Sequence, residues 1–172
     1  MLYIDIDGVL ADSDGYLATL EPRITSDTHL LFKTLAKNSD TVFLKSKPLI
    51  DLSVLSKLEE YTLLTALPNR ANIASFFESE NDVEKVFSNY KTNKRTWVKE
   101  HIGDCEVIIT DAAADKSIYC KSSKDILIDD SDKNRKKWAA KGGLTFKSVE
   151  DYMLNFNPAA FGKPILTKNE LW

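Results

Sequence analysis

Two aspartates near the start of the chain have a spacing that suits metal or phosphate chemistry. Asp5 and Asp7 close a short β-branched and aromatic run, and Gly8 follows them. Residues two apart in a strand point to the same face, so both carboxylates can converge, and glycine lets the backbone turn sharply beside a ligand. Such a pair suits a hard cation such as Mg²⁺, and one member could attack phosphorus. An ordinary strand followed by an Asp-Gly turn is the alternative.

A second carboxylate pair, Asp129 and Asp130, follows the apolar run Ile126-Leu-Ile128. Placed opposite Asp5 and Asp7 on a parallel sheet, a further carboxylate would complete a Mg²⁺ site. Either aspartate could instead cap the helix that follows, because an aspartate at a helix start accepts from free backbone N–H groups.

Thr65 and a lysine are the candidates for binding a phosphoryl group. Thr65 ends an apolar run and offers its hydroxyl, together with the backbone N–H groups that follow it from Ala66 onward. Threonine is also simply a common strand residue. A cation must neutralise the phosphoryl charge in the transition state, and Lys116 is the candidate, with Lys121 and Lys124 as surface alternatives.

The pattern of apolar residues predicts strands that alternate with helices. Residues 13–25 carry turn residues and are expected to form a loop. We expect strands at 2–6, 61–65, 106–110, 125–129 and 144–146, and helices at 28–38, 50–59, 71–102 (as two helices), 132–141 and 148–155. Alternation of this kind predicts an α/β protein, a Rossmann-like parallel sheet with helices on both faces. Ligands bind such sheets at the carboxyl ends of the strands, where both aspartate pairs and Thr65 lie.

Length and composition limit the classes of function. The 172 residues suit one domain with a small, mostly helical insertion at 13–59, which leaves 1–12 and 60–172 as the core. A net charge of −3 argues against a general nucleic-acid surface. Because neither a signal peptide nor a membrane-spanning run is evident, we expect a cytoplasmic protein with no membrane partner.

Four motifs resemble those of the haloacid dehalogenase superfamily, and they occur in its order: Asp5-Ile-Asp-Gly-Val-Leu-Ala-Asp12, Leu64-Thr-Ala-Leu-Pro68, Lys116 and Ile126-Leu-Ile-Asp-Asp130. Further segments resemble the 5′(3′)-deoxyribonucleotidases and their phage and bacterial relatives. These are Trp97-Val-Lys-Glu-His-Ile-Gly103 and the residues Asn134, Trp138, Gly142 and Gly143. The resemblance spans residues 3–146.

The resemblance implies a role for each aspartate. Asp5 would be the nucleophile that forms an aspartyl-phosphate, and Asp7 would protonate the leaving alcohol and then activate water. Mg²⁺ would be bound by Asp5, the backbone carbonyl of Asp7 and Asp130, with Asp129 acting through the water shell of the metal. For the remaining positions the resemblance implies phosphate binding by Thr65, Ala66 and Lys116.

The insertion at 13–59 occupies the place of the small cap that covers the substrate in this family. Phe43 and Tyr16 are its candidates for contacting a base or sugar, although aromatic residues in such segments usually belong to the core.

The resulting expectation is a Mg²⁺-dependent phosphatase for (deoxy)nucleoside monophosphates, with no stable nucleic-acid partner. Alternatives are a phosphatase for another small metabolite or for a nucleic-acid 3′-phosphate, and a catalytically silent binding protein. If the source is a phage, the compartment would be the host cytoplasm. Residues 156–172 are expected to pack back on the domain or to form a homodimer contact.

Overall fold

A computed structural model describes residues 1–58, 60–111 and 116–156 of the chain. Short 3₁₀ helices at Pro22–Thr25, Leu52–Lys57 and Lys116–Tyr119 supplement the main elements. In chain order the elements are β1 (Leu2–Ile4), β2 (Ala11–Asp12), α1 (Ser13–Leu20), α2 (Thr28–Lys37), β3 (Lys47–Pro48), β4 (Thr62–Ala66), α3 (Arg70–Ala74), α4 (Glu80–His101), β5 (Val107–Thr110), β6 (Ile126–Ile128), α5 (Asp132–Ala140), β7 (Leu144–Phe146) and α6 (Val149–Asn155).

Five of the strands form one parallel sheet in the order β5-β4-β1-β6-β7. The first strand is central, with Tyr3 opposite Thr62 of β4 on one side and Leu127 of β6 on the other. The two remaining strands, β2 and β3, form a small antiparallel pair. The predicted α/β class with a parallel sheet is confirmed.

Helices cover both faces of this sheet. Successive side chains of a strand point to opposite faces, so each face presents apolar side chains for a helix to cover. Leu2 and Ile4 of β1 belong to a buried cluster that includes Trp97 of α4 and Met153 of α6. Tyr3 points the other way and packs edge-on against Trp138 of α5, with 5.3 Å between ring centroids. Apolar side chains on both faces of the central strand explain why its sequence is hydrophobic throughout.

The loop predicted for residues 13–25 is wrong, because α1 and a 3₁₀ helix occupy most of it. Asp12 caps α1 by accepting from the backbone N–H of Gly15 at 2.9 Å. Glu21 does the same for the 3₁₀ helix by accepting from the N–H of Arg23. These caps offset the weak helix propensity of a segment that contains Gly15. The helix predicted at 50–59 is a 3₁₀ helix, whereas the predicted α2 is confirmed.

The insertion packs mainly on the first half of α4. Its buried residues Leu17, Leu35 and Phe43 share one cluster with Val86 and Tyr90 of that helix. Its last part differs, because Leu55 and Leu58 join the cluster on the sheet face. The division into a core and a cap at 13–59 stays a prediction.

Residues 71–102 form two helices as predicted, α3 and α4, and Ser79 caps the second by accepting from the N–H of Asn81. Among the described residues, no helix is both long enough and apolar enough to cross a membrane. The expectations for the tail lie outside the described residues, except at Phe156.

Gly143 lies where β7 begins and leaves no room for a side chain. A Cβ at this position would overlap the Trp138 indole and lie 2.7 Å from the Cys120 sulfur. We therefore expect Gly143→Ala to lower the free energy of unfolding by about 1–3 kcal/mol, because overpacking forces a buried aromatic side chain to move. Urea denaturation followed by tryptophan fluorescence measures the change. Lys141→Ala, at an exposed position two residues earlier, should change it by less than about 0.5 kcal/mol, and an equal effect of both substitutions would contradict the steric explanation.

Candidate active site

The carboxyl ends of three neighbouring strands bring the candidate residues together. Parallel pairing continues one residue beyond β1 and β6, since the Asp5 N–H donates to the Ile128 carbonyl at 2.8 Å and the Asp129 N–H to the Phe146 carbonyl at 3.1 Å. Thr65 lies near the end of β4, on the other side of β1. Sequence-distant polar groups therefore meet at one edge of the sheet, as predicted from the strand pattern.

Gly8 shapes the turn that follows the first aspartate pair. It has a φ of +74°, in the region that glycine adopts without strain. The next residues fold back on the strand, and the N–H groups of Leu10 and Ala11 donate to the Ile6 carbonyl at 2.9 and 2.8 Å. A Cβ at Gly8 would overlap the Asp130 carboxylate, so the turn can lie directly against the second carboxylate pair only with glycine here.

Lys116 joins the two carboxylate pairs. Its Nζ lies 2.7 Å from Asp5 Oδ2 and 2.7 Å from Asp129 Oδ2, and the side chain is 3% exposed. Burial by itself lowers the pKa of Lys116, but the two carboxylates outweigh it and raise the pKa overall. Lys121 is exposed, and its backbone N–H donates to Asp125. Of these two sequence candidates, the structure brings Lys116 to the cluster.

Asp5 is buried and its charge is only partly compensated. Burial raises the pKa of Asp5 to about 7, with repulsion from Asp129 and Asp7 adding to the rise and the Lys116 ammonium opposing it. One of its oxygens accepts from the Ile6 N–H at 2.8 Å. A carboxylate in this environment is poorly solvated, which makes it costly to keep ionised.

Asp129 is completely buried and satisfied by several donors. Besides Lys116, it accepts from the Ser131 N–H at 2.9 Å and from Asn134 Nδ2 at 3.0 Å. The Arg135 guanidinium donates to the backbone carbonyls of Asp129 and Asp130, at 2.5 and 2.7 Å. Residues at the start of α5 therefore bind the Asp129 side chain and also the backbone carbonyls of both aspartates.

Three carboxylates are arranged so that they could hold a cation. In the described part of the chain, ligand oxygens of Asp5, Asp129 and Asp130 lie within 4.8 Å of one another. Carboxylate oxygens are the ligands that Mg²⁺ prefers. With Asp7, four carboxylates face two ammonium groups, those of Lys116 and Lys94. The three carboxylates of the cluster share the Lys116 ammonium, so this oxygen-rich, acidic donor set fits a divalent cation.

Asp7 is held by a different set of groups. It forms an ion pair with Lys94, accepts from Thr65 Oγ1 at 3.1 Å and accepts from Ser13 Oγ at 2.5 Å. Burial raises the pKa of Asp7, but Lys94 and these hydroxyl groups outweigh it and lower the pKa overall. The two aspartates of one motif thus have opposite environments, although only one residue separates them.

Lys94 is the site residue that the sequence analysis missed. It lies on α4, four residues after Tyr90 and three before Trp97, and all three side chains are buried. A charged residue within a buried helical stripe needs a partner. That spacing is a signal that could have identified it.

The remaining candidates lie at the margin of the site or away from it. Ala66 ends β4 beside Thr65 and is half-buried. Phe43 is buried, with the Lys94 ammonium 4.0 Å from its ring centroid. The Tyr16 hydroxyl donates to Thr41 within the insertion at 3.4 Å. The structure thus connects Phe43 to the site through Lys94, whereas the polar contact of Tyr16 stays inside the insertion.

The arrangement brings together a buried carboxylate that could act as a nucleophile, a separately held carboxylate that could transfer a proton and cationic groups that could bind an anion. In comparison with known proteins, the sequence matches no protein-family model and no curated protein sequence. Any functional interpretation therefore rests on the site itself and on the motifs.

The raised pKa of Asp5 predicts a pH-dependent stability effect. The folded state binds the Asp5 proton more tightly than the unfolded state, in which this carboxyl has its ordinary pKa of 3.8. The residue therefore reduces stability as the pH rises from about 4 to about 7. We expect Asp5→Asn to raise the free energy of unfolding by about 1–3 kcal/mol at pH 8, with a smaller gain at pH 5. Denaturation in EDTA at both pH values measures it.

Asp40→Asn, at an exposed position, is the control and should have little effect at either pH. A gain for Asp5→Asn that is the same at pH 5 and pH 8 would contradict the burial of an ionisable Asp5 as its cause.

Proposed function

We propose that this protein is a Mg²⁺-dependent phosphomonoester hydrolase of the haloacid dehalogenase type, acting through an aspartyl-phosphate. The observation that carries the proposal is that Asp5 and Asp7 are held by different groups. Asp5 lies against Lys116 in the acidic cluster, and Asp7 is held apart by Thr65, Ser13 and Lys94. A nucleophile and a proton carrier must be separate groups close to the same phosphorus, and the separate contacts of these two neighbouring aspartates support that assignment.

In the first step, an oxygen of Asp5 attacks phosphorus and forms the aspartyl-phosphate. The bond between phosphorus and the leaving oxygen breaks, and its electron pair goes to that oxygen. Asp7, whose pKa is lowered in the free protein, takes up a proton when the phosphomonoester dianion binds beside it. It gives that proton to the same oxygen, so that an alcohol leaves. Closeness of both carboxyl groups to one end of β1 supports this assignment.

In the second step, water attacks phosphorus of the aspartyl-phosphate while the Asp7 carboxylate accepts a proton from it. The bond between phosphorus and the Asp5 oxygen breaks, which regenerates the Asp5 carboxylate and releases inorganic phosphate. Asp7 is then protonated again and ready for another cycle, so each turnover consumes one phosphomonoester and one water.

Phosphate binding is assigned to groups around this pair. The Thr65 hydroxyl and the Ala66 N–H would bind phosphoryl oxygens, and Lys116 would neutralise their charge. Asp5, Asp129 and Asp130, with the Asp7 carbonyl, would hold Mg²⁺, which supplies further charge neutralisation when bound. The excess of carboxylates over ammonium groups in the cluster supports a divalent cation here.

The substrate class follows from the motifs and the insertion. Resemblance of the motifs to those of the deoxyribonucleotidases favours (deoxy)nucleoside monophosphates. An insertion that packs on α4 beside the site suits a small substrate better than a polymer, and its Ser13 reaches Asp7 directly.

Phosphate release from a panel of substrates tests the proposal. The panel contains 5′- and 3′-monophosphates of deoxynucleosides and ribonucleosides, common sugar phosphates and a 3′-phosphorylated oligonucleotide. We expect Mg²⁺-dependent turnover, greatest on deoxynucleoside monophosphates and abolished by EDTA. Asp5→Asn should reduce turnover at least about 10³-fold, since it removes the nucleophile, whereas Asp40→Asn should not.

Turnover confined to sugar phosphates or to the oligonucleotide would retain the chemistry and reject the nucleotide substrate. Full activity of Asp5→Asn would reject the nucleophile. Absence of turnover on every substrate would favour a binding protein instead.

Lys116 and Lys121 provide a matched pair of variants for identifying the charge clamp, the lysine that neutralises the phosphoryl charge in the transition state. We expect Lys116→Met to lower kcat about 10²–10³-fold, as the loss of a transition-state charge contact does, and Lys121→Met to leave it unchanged. Steady-state kinetics on the best panel substrate measures both variants, after near-UV circular dichroism has shown that they are folded. A large loss in Lys121→Met alone would reassign the clamp.

A further inference from the structure

Lys94 is the most deeply buried cationic group in the described part of the chain, and the motifs do not explain its purpose. Its side chain is 1% exposed. It comes from α4, which supplies none of the four motifs, and its side chain spans the gap between that helix and the sheet. Removing an ammonium group from water is costly unless it gains specific partners, so the partners of Lys94 indicate what it does.

The contacts of the Lys94 ammonium lie in the site. It pairs with Asp7 Oδ2, donates to Thr65 Oγ1 at 3.0 Å and lies 4.0 Å from the centroid of the Phe43 ring. The aromatic face adds electrostatic attraction to that of the carboxylate. These contacts hold the ammonium in one place beside Asp7.

Asp7 is in turn held from three separate parts of the chain. Oδ2 is bound by Lys94 of α4 and by Thr65 of β4, whereas Oδ1 accepts from Ser13 at the start of α1. The Ser13 hydroxyl is supported by Ser46, whose Oγ lies 3.3 Å away and donates to the Val42 carbonyl. Contacts to both oxygens fix the rotation of the carboxyl plane, which a single contact would leave free.

We infer that Lys94 and Ser13 are positioning residues that aim the Asp7 carboxyl group at the leaving oxygen of the substrate. This inference rests on the proposed function. In the step concerned, the bond between phosphorus and the leaving oxygen breaks with its electron pair on oxygen, and the Asp7 proton moves to that oxygen. Asp7 becomes a carboxylate at that moment, and the adjacent Lys94 ammonium neutralises the new charge.

Such a role has a consequence that packing alone does not. A nucleoside alkoxide is a poor leaving group and needs the Asp7 proton. A p-nitrophenolate departs without one, because its charge is delocalised over the ring. Loss of the groups that aim Asp7 should therefore slow hydrolysis of a nucleotide much more than that of p-nitrophenyl phosphate. A loss of fold, of metal or of phosphate binding would affect both substrates alike.

The test compares kcat/KM for a deoxynucleoside 5′-monophosphate and for p-nitrophenyl phosphate at saturating Mg²⁺. This parameter reports the steps up to aspartyl-phosphate formation, before the second step in which both substrates share one intermediate. The variants are Lys94→Met, which keeps most of the side-chain volume, and Ser13→Ala. Lys99→Met is the matched control, because Lys99 is exposed on the same helix.

We expect Lys94→Met to lower kcat/KM about 10²-fold on the nucleotide and less than about 10-fold on p-nitrophenyl phosphate, in keeping with the size of general-acid effects. Ser13→Ala should shift the ratio of the two values in the same direction by a smaller factor. Lys99→Met should leave both values unchanged.

Equal losses on the two substrates, or no loss on either, would overturn the inference while the proposed function stands. A wild-type protein without turnover on either substrate would overturn the proposed function and this role with it. If near-UV circular dichroism shows that Lys94→Met does not fold, the ratio for Ser13→Ala decides. An unchanged ratio in that variant would overturn the inference.

Discussion

The structure depends on keeping four carboxylates together at one edge of a largely buried sheet. Bringing Asp5 and Asp129 out of water is unfavourable, and the repulsion between them adds to the cost. Lys116 between them and Lys94 beside Asp7 compensate part of the charge. The negative charge that remains supports the proposed binding of a divalent cation. Stability is thus lower here than in an apolar core, and the candidate chemistry depends on that same arrangement.

The two lysines reach the site by different routes. Lys116 comes from a 3₁₀ helix shortly before β6 and connects the first carboxylate pair to the second. Lys94 comes from the long helix on which the insertion packs, so it links the site to the insertion at 13–59. Burial outweighs Lys116 at Asp5, whereas Lys94 and two hydroxyl groups outweigh burial at Asp7, so the two aspartates have opposite pKa shifts. The fold thus gives the two aspartates different environments, which agrees with the different roles proposed for them.

The insertion at 13–59 contributes side chains that contact the site. Ser13 at its start lies outside the parallel sheet, yet it donates to Asp7, and Phe43 packs on Lys94. Substitutions in this segment can therefore alter Asp7, the proposed proton carrier, without contacting substrate. This gives a physical reason for a functional insertion directly after the first strand, where the chain is still within reach of Asp7.

Local sequence determined the strands, most of the helices and the position of the carboxylates at strand ends, because apolar periodicity and strand-end aspartates are properties of neighbouring residues. It also brought Lys116 into consideration, although only the tertiary structure separated it from Lys121. The helix at Ser13–Leu20 was missed because its pattern of apolar residues is weak. Its capping by Asp12, which favours the helix, was not considered. Lys94 was missed because its partners are distant in the sequence. Asp7 and Thr65 lie 87 and 29 residues away from it. Such partnerships exist only once the helix packs on the sheet.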